Sequence, residues 1–494
     1  MFIKRIYLIL IFLTFTPLIT RAQQDSVIIS GELRDSLKEG NTFTCKVIRP
    51  GAPLFGQTAF CQSFNAVVIK GHFRLAIPSS FNWFDVTFSS YDTEGNQTFY
   101  NNGNPLETTY LLEKGDQIKM VIQPEGLIDF FGKAALRLTC QENIYMIGYL
   151  PESVQFTVNY LFRKEKYVDG YNYDLKFLAQ QIKMKQTILE AYRDSLPAPV
   201  YKRFYADIFG QSYKPLLHVL NLPYKDTLTN IGAKTVWPLL IATMPSPDTS
   251  KEAIGASSYA DIWLDKAVNE IAFSGSGRSK KVTFSDLFTL VSHEYTGALR
   301  DKVILLVFLN YARKDPNSVN YLDKAYQVME NDESKRLLQE WAINHLKGAP
   351  AFAFDLPSET GKRFKLNNFR GKIIVADFWF YGCEGCLGIP PAMSEVWKKY
   401  ANNDRVVFLS INVDRAKKTW ENGLKSGRYT IPGSIHLSLM GLGTEHDFIK
   451  FYGYDSYPQL LVIGPKGEII SAYPPDPRID KGKELIKLID SELY

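Results

Sequence analysis

The 494-residue sequence lacks a strong charge excess of either sign. Its 57 basic and 52 acidic residues leave a formal charge of +5 at pH 7. Three of the basic residues fall within the first 22 positions, which hold no acidic residue, so the rest of the chain stands at +2. A near-neutral chain without runs of lysine and arginine has little attraction for phosphate backbones. We therefore expect no nucleic-acid partner.

Cysteine is also scarce, and the whole chain has five: Cys45, Cys61, Cys140, Cys383 and Cys386. This number excludes a small scaffold held together by disulfides. The first three cysteines leave room for one structural disulfide or none, and three pairings are open. A zinc site at the last two would need two more cysteine or histidine ligands at suitable spacing, which the sequence does not supply. We expect no metal.

Long hydrophobic runs are missing as well. A mostly apolar stretch near the start, 6–19, has 14 residues, whereas a spanning helix needs roughly 20. It follows the basic start MFIKR and precedes Thr20-Arg21-Ala22, which is the pattern of a signal peptide cut after Ala22. We expect an exported protein of the periplasm or cell envelope. Membrane contact arises only if the first 22 residues are retained as an anchor.

The length favours about three domains. Residues 23–147 contain short β-branched and aromatic runs separated by glycine, proline and asparagine, which is typical of a small β-sandwich. Over 148–345 the apolar residues recur every three or four positions, which predicts an irregular helical domain. Residues 346–494 alternate strands and helices and close with an amphipathic helix over 483–493, as expected of an α/β domain.

Most of the chemical information lies in the segment Cys383-Glu384-Gly385-Cys386. It follows an apolar run that predicts a buried strand and precedes a predicted helix. A thiol at a helix start meets unpaired backbone N–H groups and the positive end of the helix dipole, and both favour the thiolate. The second cysteine lies one turn along and can reach the same sulfur. The spacing therefore predicts a reversible dithiol–disulfide pair with Cys383 as the nucleophile and Cys386 as the resolving residue.

At this point the sequence resembles a known family. The segment 377–386 is similar to the active site of thioredoxins, and Pro391 lies where that family kinks its helix. Upstream residues resemble the leading hairpin of extracytoplasmic thioredoxin-like reductases of the TlpA/ResA type: Gly361, Leu366, Phe369, Gly371 and Lys372. Tyr457-Pro458 lies at the position of the family's cis-proline. The resemblance covers residues 347–494 and implies a thioredoxin fold for the C-terminal domain.

The resemblance also implies roles for further residues. Asp377 would move protons for Cys386, and a carboxyl group buried there should have a raised pKa. The alternative is a buried aspartate that is simply paired. Trp379, Tyr457 and Pro458 would position the substrate. Two positions depart from the family pattern: Gly382 replaces an aromatic residue, and Ile389 replaces a glutamate that relays protons.

Together these features predict an exported thiol–disulfide oxidoreductase that reduces protein disulfides. Exchange needs no dissociable cofactor but requires an upstream reductase as a partner. Glu384 between the cysteines, and an ionised Asp377 below them, would both disfavour thiolates and thus favour a reducing couple. The alternative is an envelope binding or scaffold protein whose thioredoxin-like domain is secondary or inactive, because the first two domains suggest no chemistry.

Overall fold

The computed structural model describes residues 26–33, 39–52, 58–95, 97–100, 109–123, 127–147, 152–221, 227–275, 280–312, 315 and 317–493. The predicted signal peptide, residues 1–22, lies outside the described residues. Within the described residues, no helix combines the length and apolar character needed to cross a membrane.

The N-terminal region is β-rich, as predicted. Its described strands are β1 Ser26–Leu33, β2 Thr42–Ile48, β3 Cys61–Val67, β4 His72–Pro78, β5 Trp83–Tyr91, β6 Gln97–Tyr100, β7 Tyr110–Glu113, β8 Gln117–Ile122 and β9 Ile128–Phe131. They form one sheet in the order β4-β1-β8-β9 and a second in the order β3-β2-β5-β6, with β7 paired to β5. Phe43 of the second sheet stacks on Phe73 of the first, with ring centroids 3.8 Å apart. The two sheets thus share one core, as in a sandwich.

Helix α1, Ala135–Met146, corrects the expectation that β structure continues to residue 147. Leu138 packs into the sandwich core, whereas Cys140 packs against the helical region. Its polar residues are buried as partners of β7: Gln141 accepts the N–H of Leu111 at 2.9 Å, and Glu142 accepts the Tyr110 hydroxyl. Contacts on both sides stabilise this helix, and local sequence periodicity does not report them.

The middle region is helical. Its described helices are α2 Glu152–Arg163, α3 Tyr167–Ala191, α4 Ala198–Asn221, α5 Thr227–Thr243, α6 Lys251–Gly255, α7 Tyr259–Phe273, α8 Phe284–Glu294, α9 Gly297–Tyr311, α10 Leu322–Val328 and α11 Asp332–Ile343. The apolar positions that predicted these helices, such as Leu178, Leu287 and Ala325, are buried in one core.

The C-terminal region is an α/β domain. Its strands are β10 Asp355–Pro357, β11 Arg363–Lys365, β12 Ile373–Trp379, β13 Val406–Asn412, β14 Ile435–Ser438, β15 Gln459–Ile463 and β16 Ile469–Ser471. The main sheet has the order β14-β13-β12-β15-β16, and β10 and β11 form a hairpin. Strands β12, β13 and β14 are parallel to one another, β15 is antiparallel to β12, and β16 is antiparallel to β15. Strand β12 is central and buried along its whole length.

Helices cover both faces of this sheet. They are α12 Ile389–Ala392, α13 Ser394–Tyr400, α14 Lys417–Ser426, α15 Asp447–Tyr452, α16 Pro477–Asp480 and α17 Lys483–Leu493. Val375 packs on the face covered by α13 and α17, and Phe378 packs on the opposite face against α15. Side chains alternate along a strand, so Asp377 and Trp379 lie on the same face as Val375.

The regions are joined by polar contacts, of which the one at His345 is buried. His345, at the predicted end of the helical domain, has Nε2 2.9 Å from the Tyr452 carbonyl of the α/β domain and Nδ1 2.6 Å from the Trp341 carbonyl. Arg49 of the sandwich forms a two-pronged ion pair with Glu340 of α11, at 2.5 and 2.9 Å. The domain boundaries drawn at 147 and 345 stay predictions.

Candidate active site

The two neighbouring cysteines lie where β12 ends and the following helix begins. A 3-10 helix, Gly385–Gly388, comes first and continues into α12, with α13 after a break at Met393. The loop before it contains Gly382, whose φ of +92° belongs to the left-handed region that favours glycine. Its N–H donates to the Tyr429 hydroxyl at 3.0 Å. This backbone conformation gives a physical reason for glycine where the family has an aromatic residue.

Cys383 and Cys386 form a disulfide, with their Cα atoms 5.3 Å apart. The N–H of Cys386 points at the Cys383 sulfur, with N and Sγ 3.1 Å apart. Cys383 is 5% exposed and Cys386 is 1% exposed, so the first is slightly the more exposed of two buried cysteines. The other three cysteines, Cys45, Cys61 and Cys140, are thiols.

Aromatic side chains line the sulfurs from below and from the side. Trp379 stacks on Tyr429 with centroids 5.1 Å apart, and Trp420 belongs to the same buried cluster as both cysteines. A Cβ at Gly423 of α14 would lie 2.6 Å from the Trp379 ring, so glycine lets this helix approach closely. Trp379 is 1% exposed and packs in this cluster with the cysteines, and a role for it in positioning the substrate stays a prediction. Sequence reasoning missed Tyr429 and Trp420, although aromatic residues in an otherwise polar stretch were a signal.

Asp377 is a buried acid on the sheet face that α13 covers. Its Oδ2 accepts a hydrogen bond from the Ser410 hydroxyl at 3.4 Å, and Ser410 in turn accepts the indole N–H of Trp379 at 2.8 Å. Its Oδ1 is buried without a partner. Burial raises the pKa of Asp377 to about 8, although the hydrogen bond from Ser410 opposes the shift. The group is therefore mostly protonated at pH 7, which corrects the argument that an ionised Asp377 repels the thiolates.

The Tyr457–Pro458 peptide bond is cis, as the resemblance implies. A Cβ at Gly385 would lie 3.2 Å from Pro458 Cδ and 3.6 Å from the Tyr457 carbonyl oxygen. The cis-proline turn therefore lies directly beside the cysteine loop. Phe380 meets the Tyr457 ring edge to face at 5.8 Å and is partly exposed, as is its neighbour Tyr381. These residues form the open rim of the site.

Two further residues, Ile389 and Arg478, lie in or next to the helical segment that follows the cysteines. Ile389, where many relatives of the family have glutamate, is buried under the helix and brings no acid to the site. Arg478, which sequence reasoning missed, donates from Nη1 to the Gly385 carbonyl at 3.1 Å. Within the described part of the chain, no cluster of three or more histidine, cysteine, aspartate or glutamate residues could hold a metal ion.

Comparison with known proteins identifies this domain. The family model described as Thioredoxin-like matches residues 371–469. The thiol-disulfide oxidoreductase ResA of Bacillus subtilis is 27% identical over 124 residues, which are 25% of this chain and 65% of ResA. The C-terminal domain is thioredoxin-like, of the ResA/TlpA type. The chain thus spans just under two thirds of the length of that relative.

Other relatives of the thioredoxin-like domain agree in extent. The thioredoxin-like protein YneN of B. subtilis is 26% identical over 125 residues, covering 25% of this chain and 68% of YneN. A solution structure from Bacteroides vulgatus is 32% identical and covers 28% of this chain and 91% of that chain, with a TM-score of 0.24. The thioredoxin domain of a thiol-disulfide oxidoreductase from the same organism is 19% identical over 30% of this chain and 99% of its own, with a TM-score of 0.26.

The relatives support a thiol–disulfide redox function for the thioredoxin-like domain. They match only the last third of the chain, so they carry no information on the sandwich or the helical region.

Proposed function

We propose that this chain is an exported thiol–disulfide oxidoreductase that reduces protein disulfides in the cell envelope. The observation that carries the proposal is the Cys383–Cys386 disulfide beside the cis-proline turn. A disulfide with a backbone edge next to it suits exchange with an extended polypeptide.

The reaction begins with the dithiol form. The Cys383 thiolate attacks one sulfur of a substrate disulfide, the substrate S–S bond breaks, and the first substrate sulfur leaves as a thiolate. The Cys386 thiolate then attacks the Cys383 sulfur of the mixed disulfide, which forms the Cys383–Cys386 bond and releases the second substrate sulfur. The substrate gains two electrons and the protein loses two. Asp377 in its ionised form accepts the proton of Cys386, and in its neutral form returns a proton to a departing thiolate.

The substrate backbone would pair beside Tyr457 and Pro458. The Tyr457 carbonyl flanks Gly385 at the rim, where an extended chain can approach Cys383. Trp379 contributes by fixing Tyr429, which holds the Gly382 N–H, and so acts as a support for the loop. No dissociable cofactor enters these steps, but an upstream reductase must return two electrons per turnover.

Export is proposed from the first 22 residues together with this redox chemistry. The test is amino-terminal sequencing of the protein from a fractionated native host, which should show Gln23 first in the periplasmic or envelope fraction. Met1 in the membrane fraction would support a retained anchor, and a cytoplasmic location would overturn the proposal.

The reductase direction is tested by equilibrating the full chain with glutathione. Glu384, exposed between the cysteines, disfavours thiolates and should keep the couple reducing, nearer ~−270 mV than ~−120 mV. A potential above about −180 mV would instead indicate an oxidase or isomerase.

The scaffold alternative is favoured by one feature: both cysteines are buried, at 5% and 1% exposure. A trapping experiment separates the two functions. The Cys386→Ser full chain should accumulate mixed disulfides with envelope proteins through Cys383, and the Cys383→Ser chain, as the matched control, should not. Absence of trapped proteins together with no reduction of insulin would favour the scaffold.

A further inference from the structure

Arg478 reaches the active-site segment from a distant part of the chain. It belongs to α16, 93 residues after Gly385, and its Nη1 donates to the Gly385 carbonyl at 3.1 Å. Gly385 lies between the two cysteines. A cationic side chain is therefore hydrogen-bonded to the backbone of the redox-active loop.

Asp476 fixes the orientation of this guanidinium. Its carboxylate accepts from Arg478 Nε at 2.9 Å and from Nη2 at 2.6 Å, and it also caps the start of α16 by accepting the Arg478 N–H. The side chain of Arg478 is 39% exposed, so solvent weakens the pair. Asp476 engages Nε and Nη2, whereas Nη1 is directed at Gly385. The end of the guanidinium that Asp476 does not engage therefore faces the backbone between the two cysteines.

Two glycines make room for Arg478. A Cβ at Gly388 would lie 3.2 Å from Arg478 Cδ, and a Cβ at Gly385 would lie 3.7 Å from Nη1. These glycines are three residues apart, so they share one face of a 3-10 helix. The arginine lies flat on this face because neither position has a side chain.

The Cβ position of Gly385 is also close to the cis-proline turn. The Cβ position is 3.6 Å from the Tyr457 carbonyl oxygen and 3.7 Å from Arg478 Nη1. Gly385 is thus held between the proposed substrate edge and the guanidinium. Any movement of the loop during exchange must keep or break the bond to Arg478.

We propose that Arg478 is a positioning residue that holds the Gly385 carbonyl and, through its charge, shifts the Cys383–Cys386 couple toward the dithiol. The inference rests on the proposed thiol–disulfide exchange. A nearby positive charge stabilises a thiolate, while it has little effect on a neutral disulfide. Arg478 therefore acts against Glu384, which is the acid inside the same loop, and limits how reducing the couple becomes.

The reaction to be measured is the equilibration of the protein disulfide with glutathione. The oxidised protein and two glutathione thiols give the reduced protein and one glutathione disulfide, so the Cys383–Cys386 bond breaks and a glutathione S–S bond forms. Two electrons and two protons move to the protein. The equilibrium constant of this reaction reports the stability of the dithiol form directly.

The test compares full-length Arg478→Met with Arg478→Lys and with Arg363→Met. Arg363 is the matched control, because it also pairs with an exposed aspartate, Asp355, in the same domain, at 2.8 Å. We expect Arg478→Met to lower the equilibrium constant about threefold or more and to move the pH profile of Cys383 alkylation upward. Arg478→Lys should restore part of the constant through its charge, and Arg363→Met should match the wild type.

The outcomes distinguish this inference from the proposed function. A wild-type disulfide that does not exchange with glutathione would overturn the proposed function and this inference with it. Normal exchange with the same constant in wild type and Arg478→Met would overturn the inference alone. An equal fall of the equilibrium constant in Arg478→Met and Arg363→Met would also overturn the inference. The effect would then come from the net charge of the domain and not from the contact of Arg478 with Gly385.

Discussion

The guanidinium carbon of Arg415 lies 3.8 Å from the centre of the Tyr91 ring. Tyr91 ends β5 of the sandwich, whereas Arg415 stands between β13 and α14 of the thioredoxin-like domain. Gly95, in the turn after β5, also lies close to Arg415, because a Cβ at Gly95 would be 2.8 Å from Arg415 Cβ. The N-terminal sandwich thus touches the segment that leads into α14, the helix beside the disulfide.

This contact continues toward the cysteines. Asp414 accepts the N–H of Tyr381 at 3.0 Å, and Tyr381 is two residues before Cys383. We predict that Tyr91→Leu accelerates amide hydrogen exchange in residues 413–420. Cation–π contacts at such sites contribute about 0.5–1 kcal/mol, so exchange should be about two- to fivefold faster. Tyr160→Leu is the matched control, because Tyr160 lies near Lys164 on an exposed helical face. Unchanged exchange in the Tyr91 variant would show that the sandwich does not stabilise the wall of the site.

The second prediction concerns which cysteine is the nucleophile. The N–H of Cys386 is directed at the Cys383 sulfur, and Cys383 is the more exposed of the two. In the reduced protein at pH 7, iodoacetamide should modify Cys383 about tenfold faster than Cys386, as resolved by mass spectrometry of peptides. Cys140 provides an internal control, because burial raises the pKa of its thiol to about 12 and it should label far more slowly than Cys383. Faster labelling of Cys386 would reverse the two roles.

Local sequence signals were sufficient where local structure decides the outcome. The helix predicted over 483–493 has the bounds Lys483–Leu493, and the apolar run before the cysteines forms the buried strand β12. The cis bond before Pro458 was also predicted, because that position matched a family pattern. Such features depend on residues that are neighbours in sequence.

Features that depend on distant partners could not be predicted in this way. Helix α1 is stabilised from two sides by residues far along the chain, and its own segment shows no clear helical period. Arg478 meets Gly385 across 93 residues, and the stacking of Trp379 on Tyr429 spans 50 positions of chain folded around α14. The sequence contains glycines at 385 and 388, but only the folded structure shows that Arg478 packs against both of them.

The third prediction concerns Glu445, which joins the thioredoxin-like domain to the sandwich. Lys46 of β2 lies 2.8 Å from its carboxylate, Lys450 lies 3.1 Å away, and Ser63 of β3 donates to it. Burial alone would raise the pKa of Glu445, but these partners outweigh burial and lower the pKa to about 2. A carboxyl group with a lowered pKa stabilises the fold when the pH is above the pKa of that group in the unfolded chain. This stabilisation is lost as the pH falls toward 2.

Glu445→Gln should therefore lower the free energy of unfolding at pH 7 by about 1–3 kcal/mol. The difference from the wild type should shrink between about pH 4.5 and pH 2, where the wild-type carboxylate takes up its proton. Urea unfolding at several pH values measures both. Glu395→Gln is the matched control, because Glu395 forms an exposed pair with Lys398 and should cost little. A pH-independent difference would mean that Glu445 acts by packing and not by charge.

The last prediction concerns Asp377 and has a kinetic and a thermodynamic part. Asp377→Asn keeps the shape of the side chain but can neither accept nor return a proton. If Asp377 serves Cys386, reduction of insulin by the full chain should slow by about tenfold or more. Asp355→Asn, an exposed aspartate of the same domain, should leave the rate unchanged.

The thermodynamic part follows from the pKa of about 8. Between about pH 4 and pH 8 the folded Asp377 binds more proton than the unfolded chain, so wild-type stability falls as the pH rises through this range. The Asn variant has no such dependence. Its free energy of unfolding, measured with urea, should therefore rise relative to that of the wild type from pH 5 to pH 8, by about 1–3 kcal/mol. A slower rate without this gain would indicate damage to the site, and a gain without a slower rate would leave Asp377 as a structural residue. Only the two changes together assign it the proton transfer, because the same buried carboxyl group then destabilises the fold and accelerates the exchange.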